Sequence, residues 1–529
     1  VYDSKRSLLS CRKTSGNRSK FSLLGVFVGL AGSAIICCNA SAQQWLLNAN
    51  SRIEQHRKAD LTVKVVDGLG NPVPNADVHV EMKRHHFGFG TAVPASRIVD
   101  SSSDGVMFRE KLLENFNQVV FENDLKWPAW IGLWGPGFNW NNTEQAFDWL
   151  ETNELPVRGH YLSWATWSGS DAWGNSQNTA TLPQRLFNHM TDKATTVGDR
   201  VFEWDVINHP VGWLNDSYEN RISLDFYNDI LDHARTVVPQ GMDLWINEDD
   251  VIAGNSRASD YERIIEHMID NGSAPDGIGF QGHFIEEWGR VSSTPASQLY
   301  DRIDRFAEVI PRLKVTEFDI DVGNNESWQG QLMNDYLTVM FSHPDIEAIT
   351  LWGFWGGSHW RGEDGALYRE DWTEKPSLTA YQNLVLDQWW TDETAQADTA
   401  GEHALRAFKG LYDITVSYGE EEFVLTDYAL EDDEQLQLEL SNLLISGADF
   451  DGDGDVDGDD LTVWQDAFGS TDAGDADGDG DTDGTDFLAW QADFAGNPNA
   501  SFDSLAVPEP TSGILLAAMA ASLLVLRLR

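Results

Sequence analysis

Between residues 85 and 390 the chain repeats one pattern eight times, a short apolar run followed by a longer connecting stretch. The runs are Phe87–Val93, Gln118–Phe121, Val157–Leu162, Val201–Ile207, Asp243–Ile246, Gly277–Gln281, Leu313–Ile320 and Ala348–Phe354. Short continuous apolar runs fit strands buried on both faces, and parallel strands require a crossover, usually a helix, between them. The stretches 143–153, 220–237, 257–270, 295–309 and 327–342 carry apolar residues at helical spacing and can supply those crossovers. Eight strand–helix units over roughly 300 residues predict an α/β chain closed into a (β/α)8 TIM barrel. Such barrels build their active sites at the C-terminal ends of the strands.

Polar and aromatic residues gather at those ends. Glu317 closes the run Val315-Thr316-Glu317-Phe318-Asp319. Burying a carboxylate costs several kcal/mol unless it is paired or hydrogen-bonded, so a strand-end salt bridge or a chemical task is expected there. On other strand ends lie Glu122, Lys126, His160, Trp164, Asn208, His283, Trp352 and Trp360. Aromatic walls with amide, imidazole and carboxylate groups suit a sugar-binding cleft, and the chain carries 22 Trp. With 36 Lys+Arg against 85 Asp+Glu, the formal charge is −49. Such a surface repels nucleic acid and anionic lipid. The three cysteines, Cys11, Cys37 and Cys38, precede residue 43, so the chain after a leader is removed has no thiol for a disulfide, a zinc site or a nucleophile.

The two ends read as addresses. Residues 1–42 place Lys5, Arg6, Arg12, Lys13, Arg18 and Lys20 before an apolar run from Phe21 to Cys38, then Ala40-Ser41-Ala42. That order predicts a secretory signal peptide. Residues 499–529 contain Val507-Pro508-Glu509-Pro510, an apolar run from Gly513 to Leu526, and Arg527 and Arg529. This order resembles the PEP-CTERM sorting signals of Gram-negative bacteria, which implies export to the cell surface or beyond. Residues 43–84 form a β lead-in that alternates like a strand pair around Asp67-Gly-Leu-Gly-Asn71, and 391–446 hold a linker and a small β module.

Over 85–390 the chain is similar to family-10 glycoside hydrolases, a xylanase family. The matching stretches are Phe121-Glu-Asn-Asp-Leu-Lys-Trp127, Arg158-Gly-His-Tyr-Leu-Ser-Trp164, Trp204-Asp-Val-Ile-Asn208, Asp276-Gly-Ile-Gly-Phe-Gln-Gly-His283, Val315-Thr-Glu-Phe-Asp-Ile320 and Leu351-Trp-Gly353 with His359-Trp360. The resemblance implies a monomeric barrel that cleaves β-1,4-xylosidic bonds in xylan with retention, using no cofactor for catalysis. It puts Glu317 on the nucleophile. Glu122, Asn123 and Lys126 fall on residues that hold the sugar one unit beyond the cleavage point. His160, Trp164, Asn208, Gln281 and His283 would line the site of the cleaved sugar, with Trp352 and Trp360 as its aromatic wall.

The sequence departs from the family at the acid/base. After Trp-Asp-Val-Ile-Asn the family has a glutamate, and this chain has His209 followed by Pro210. Ala165 stands where a second histidine is common, and Gly356 and Gly357 stand where an acidic residue is frequent. The retaining mechanism needs two carboxyl groups about 5–5.5 Å apart. Three readings stay open: His209 substitutes as the acid/base, a nearby carboxylate (Glu203, Asp205 or Glu248) takes over, or the barrel binds xylan without cutting it.

Residues 447–498 are a doubled acidic segment. Asp449, Asp451, Asp453, Asp455, Asp457 and Asp460 occupy positions 1, 3, 5, 7, 9 and 12 of a calcium loop, and Asp475, Asp477, Asp479, Asp481, Asp483 and Asp486 repeat the register. Glycine at position 6 permits the sharp turn, and position 7 ligates through its carbonyl. Leu461, Val463 and Trp464, then Phe487, Leu488 and Trp490, predict one helix after each loop. The pair resembles a dockerin type I module, which implies Ca2+ and a cohesin-type partner. Gly458-Asp459 and Gly484-Thr485 differ from the Ser/Thr pairs common at positions 10 and 11 of that family.

Overall fold

The structure is a computed structural model that describes residues 44–165, 179–212, 216–441, 443, 447–452, 456–476 and 479–496. The expected leader and sorting tail, and Asp453, Asp455 and Asp477, lie outside the described residues. All eight apolar runs are strands: β1 Gly88–Val93, β2 Gln118–Phe121, β3 Val157–Trp164, β4 Glu203–Asn208, β5 Asp243–Glu248, β6 Gly277–Phe280, β7 Leu313–Asp321 and β8 Ile346–Leu351. They pair in parallel in chain order, and β8 returns to β1 with Ala348 opposite Gly88 and Leu351 opposite Thr91. The barrel is closed, so these strands leave no open edge.

Among the described residues, each strand is followed by a helix of the outer layer: α1 Ser103–Asn115, α2 Trp140–Thr152, α3 Leu182–Val197, α4 Phe226–Val237, α5 Ala258–Asp270, α6 Ala296–Ala307, α7 Glu326–Ser342 and α8 Pro376–Gln382. Side chains of Ser102, Asn139 and Asn325 accept from the first free N–H groups of α1, α2 and α7. The expected helix over 220–237 is broken. Ile222, at φ −128 and ψ −80, leaves helical geometry after the turn Tyr218–Arg221. Tyr218 and Phe226 then meet with ring centroids 5.4 Å apart, whereas eight residues of continuous helix would separate them by about 12 Å. Two glycines make room for the largest core side chains. A Cβ on Gly159 would lie 2.4 Å from the Trp204 ring, and one on Gly277 would lie 2.1 Å from the Trp245 ring. Both indoles are fully buried.

The β lead-in differs from expectation. Lys58–Asp67 and Asp77–His85 are strands, but they do not pair with each other. The first lies between Glu402–Phe408 and Glu434–Leu440, and the second between Asp392–Gln396 and Gly410–Tyr418, beyond which lies Glu421–Leu430. The segments before and after the barrel therefore share two sheets, and a strand begins at Asp392 where a linker was expected. Each lead-in strand buries one apolar face (Leu61, Val63 and Val65; Val78, Val80 and Met82). Two such faces are covered when the strands sit in opposed sheets. Among the described residues, no helix is long and apolar enough to cross a membrane.

Candidate active site

The polar core beneath the site is a charged layer inside the barrel. Arg158 on β3 donates to Glu203 at 2.8 Å and to both oxygens of Asp205 at 2.7 and 2.6 Å, from β4. Lys314 on β7 closes the layer with an ion pair to Glu203. Asp205 also holds the His160 Nδ1 at 2.8 Å. Burial keeps His160 below the usual imidazole range, against the pull of Asp205 and Glu317. These pairs answer one open question from the sequence, because Glu203 and Asp205 are consumed in buried ion pairs and present no carboxyl to a substrate. Glu248, at the end of β5, is also fully engaged. It accepts from the Arg257 guanidinium at 2.7 Å, the Val211 N–H at 2.8 Å, the Asp249 N–H at 2.9 Å and His209 Nδ1 at 3.1 Å.

Glu317 lies at the centre of the strand ends and is 5% exposed. Its Oε1 accepts from Asn247 Nδ2 at 2.7 Å, and Oε2 lies 3.3 Å from His283 Nε2. Burial pushes its pKa up, but the hydrogen bond from His283 and the electrostatic pull of the neighbouring His160, His283 and Lys126 outweigh it and hold it at about 2. His283 moves the other way. Burial lowers it, but Asp319, 3.0 Å from Nδ1, and Glu317 together raise it to about 10. At neutral pH the pair is a carboxylate clamped by an imidazolium.

The other predicted residues lie around this centre. Lys126 stands 5.8 Å from the Trp164 ring centroid and 5.5 Å from that of Trp352. Burial lowers its ammonium pKa, against Glu317 and Glu122. Burial raises the Glu122 carboxyl, against Lys126 and the hydrogen bond from Asn123. Trp352 meets the His160 ring at 5.1 Å and is 5% exposed. Trp360 is 41% exposed, donates to Asp319 at 2.7 Å and abuts His283. One flat indole is thus presented at the rim and the other lines the floor.

His209 follows β4 in left-handed geometry, φ +52, its N–H bonded to the Asn247 carbonyl at 2.9 Å. Its ring stacks on Trp164 with centroids 5.2 Å apart. Nδ1 faces Glu248, and Nε2 lies 2.9 Å from Gln281 Nε2. Gln281 and Asn247 each donate to Asn208 Oδ1, at 3.1 and 3.2 Å. Asn247 escaped the sequence reading because the fifth run was ended at Ile246, while the strand continues to Glu248. Strand-end polarity, the criterion used elsewhere, would have found it.

The barrel segment, residues 79–384, matches the family model Glycosyl hydrolase family 10, which covers more than half of the chain. The chain belongs to glycosyl hydrolase family 10. Among its relatives is the anti-sigma-I factor RsgI6 of Acetivibrio thermocellus, 28% identical over 378 residues, covering 71% of this chain and 47% of that protein. Endo-1,4-beta-xylanase 2 of Arabidopsis thaliana is 24% identical over 410 residues, 76% of this chain and 36% of the relative. The chain thus spans about half or less of the length of these curated relatives. The solved xylanase 10B of Thermotoga petrophila, in complex with xylobiose, superposes with a TM-score of 0.50 at 21% identity, covering 57% of this chain and 95% of that one. This likeness is one of fold, and the family-10 barrel is the frame on which the site stands.

The doubled acidic segment forms two loops, each followed by a helix, Gly458–Ala467 and Gly484–Gly496. Carboxylate oxygens of Asp449, Asp451 and Asp460 lie within 4.8 Å of one another, as do those of Asp481, Asp483 and Asp486. Gly480, at position 6 of the second loop, has φ +95. Trp464 donates to the Asp483 carbonyl and Trp490 to the Asp457 carbonyl, both at 2.9 Å. Each helix therefore holds position 9 of the other loop. Repulsion from Asp479 and, with burial, from Asp483, Asp486 and Asp475 raises the Asp481 carboxyl above its ordinary range. The donor set is all hard oxygen, which fits calcium.

Proposed function

We propose that the barrel is a retaining endo-β-1,4-xylanase site whose nucleophilic half is intact and whose proton-donating half is altered. Glu317 is the nucleophile. Its carboxylate, kept ionised by His283 and aimed by Asn247, attacks the anomeric carbon, and water then releases the sugar from the glycosyl-enzyme. The clamp on Glu317 is the observation that carries this reading. Lys126, Glu122 and Asn123 hold the sugar beyond the cleavage point, and His160, Asn208, Trp352 and Trp360 surround the one being cleaved. His209 stands at the acid/base position.

A second reading is a non-hydrolytic xylan-binding surface protein. The engagement of both His209 ring nitrogens favours it, and so does a relative named as an anti-sigma factor. Turnover of polymeric xylan beside an activated aryl xylobioside separates the two. The hydrolase reading expects turnover of the aryl substrate, lost by roughly 10⁴-fold in Glu317→Gln. Binding of xylo-oligosaccharides with neither substrate cut selects the second reading. The acidic loops are read as calcium sites of a dockerin-like module with a cohesin-type partner. Residues 1–42 and 499–529 are read as export and surface-sorting signals.

A further inference from the structure

We infer that His209 is not a proton donor but a clamped positioning residue, so the site cleaves only xylosides whose leaving oxygen departs without a proton. The inference deepens the hydrolase reading and rests on it for substrate class, while the clamp itself stands on geometry. The clamp starts at Glu317. An ionised carboxylate only accepts, so the Asn247 atom 2.7 Å away must be its NH2. The second N–H of that group points to Asn208, 3.2 Å away, so the facing atom of Asn208 must be its carbonyl oxygen. That oxygen takes a second donor from Gln281 at 3.1 Å, which fixes the Gln281 NH2. The remaining N–H of Gln281 lies 2.9 Å from His209 Nε2, which must therefore offer a lone pair.

The opposite side of the ring agrees. Glu248, which already accepts from Arg257 and two backbone N–H groups, faces Nδ1 at 3.1 Å; Arg257 Nη1 also approaches Nδ1, at 3.5 Å, but gives its proton to the nearer Glu248 Oε1 at 2.7 Å. The proton is thus on Nδ1 and given to Glu248, while the single in-plane lone pair of Nε2 is given to Gln281. A glutamate at this position could bond Gln281 with one oxygen and keep the other for the substrate, and an imidazole has no second atom to spare. The stack on Trp164 covers one face of the ring and closes rotation in that direction.

The chemistry follows. A Glu317 oxygen bonds to the anomeric carbon, the bond from that carbon to the leaving oxygen breaks, and the electron pair leaves with that oxygen. An aryl oxide accepts the pair readily, and a sugar alkoxide does not. The glycosyl-enzyme is then released by water, which loses its proton to solvent, or by a small anion such as azide, which forms the glycosyl azide and frees the Glu317 carboxylate.

Nitrogen NMR of the full chain with 15N-labelled histidine reads the clamp directly, with His209 assigned by its absence in His209→Gln. The expected result is a protonated Nδ1 and a bare Nε2. A proton on Nε2, or on both nitrogens, would overturn the inference. Gln281→Glu, which exchanges the donor for an acceptor, should move a proton onto Nε2, and an unchanged ring would also overturn it. Kinetically, aryl xylobiosides should slow steeply as the phenol becomes less acidic. Azide should yield glycosyl azide, and His209→Glu should raise xylan turnover by roughly 10²–10⁴-fold. Rates insensitive to the leaving phenol would contradict the clamp. If NMR finds the Nδ1–H ring and no xyloside is cut, the hydrolase reading fails and the clamp stands.

Discussion

The barrel and the C-terminal loops both crowd carboxylates together, and they neutralise them from different sources. In the barrel the chain supplies its own counter-charge, with Arg158 and Lys314 for Glu203 and Asp205, Arg290 for Asp249 at 2.6 and 2.7 Å, and His283 for Glu317 and Asp319. Over 447–498 there is no Lys, Arg or His at all. The loop carboxylates lean on backbone N–H groups instead. Asp460 accepts from Phe450, Asp451 and Asp457, and Asp486 from Ala476 and Asp483. A carboxylate paired within the chain belongs to a preformed, rigid site. On the calcium reading, one without a cation in its own segment is completed from outside, which is the condition for metal-coupled folding.

Removing the external cation should break this symmetry most visibly. Chelation of calcium should abolish the helical signal of Gly458–Ala467 and Gly484–Gly496, because binding free energy is folding free energy there. The barrel's melting should not move. Circular dichroism of the full chain with and without chelator checks both halves, and helices that persist in chelator would remove the calcium assignment.

The converse experiment deletes an internal cation. Arg158→Met leaves buried Glu203 with Lys314 and buried Asp205 with only the His160 ring, and loss of one partner of a buried pair costs about 3–5 kcal/mol. Denaturant unfolding of the barrel should show that loss, with the C-terminal unit unaffected. A cost below about 1 kcal/mol would mean the layer relaxes to water.

A smaller change is expected with pH. The His283 pKa is raised from 6.5 to about 10, so its stabilising contribution is complete below about 6.5 and is lost as pH rises through about 10. Glu317 has the opposite sign. Its pKa is depressed from 4.5 to about 2, so its contribution is present above about 4.5 and fades as pH falls toward 2. Barrel stability measured from pH 6 to 10 should decline, and His283→Gln should flatten that limb.

Periodicity made the barrel legible, because strands covered on both faces do not alternate and therefore stand out as short apolar runs. The two sheets shared by the flanking segments were less legible. Strand character at 58–67 and 77–85 was visible, but partners more than 300 residues away leave no local mark. In the site, the residues gathered around Glu317 were readable as strand-end polarity. Arg257 was not, since it lies in the connection after β5 and acquires meaning only through its pair with Glu248. His209, where the family resemblance leads one to expect a glutamate, was plain in the chain, while its engagement at both nitrogens needed three dimensions.

The central claim, that Glu317 is a working nucleophile in a site without an ordinary acid/base, is tested by covalent trapping. An activated 2-deoxy-2-fluoro-xylobioside should modify the chain once, and peptide mass spectrometry should place the sugar on Glu317. No modification, or a sugar attached to Glu122, Glu248 or any other carboxylate, would contradict the account.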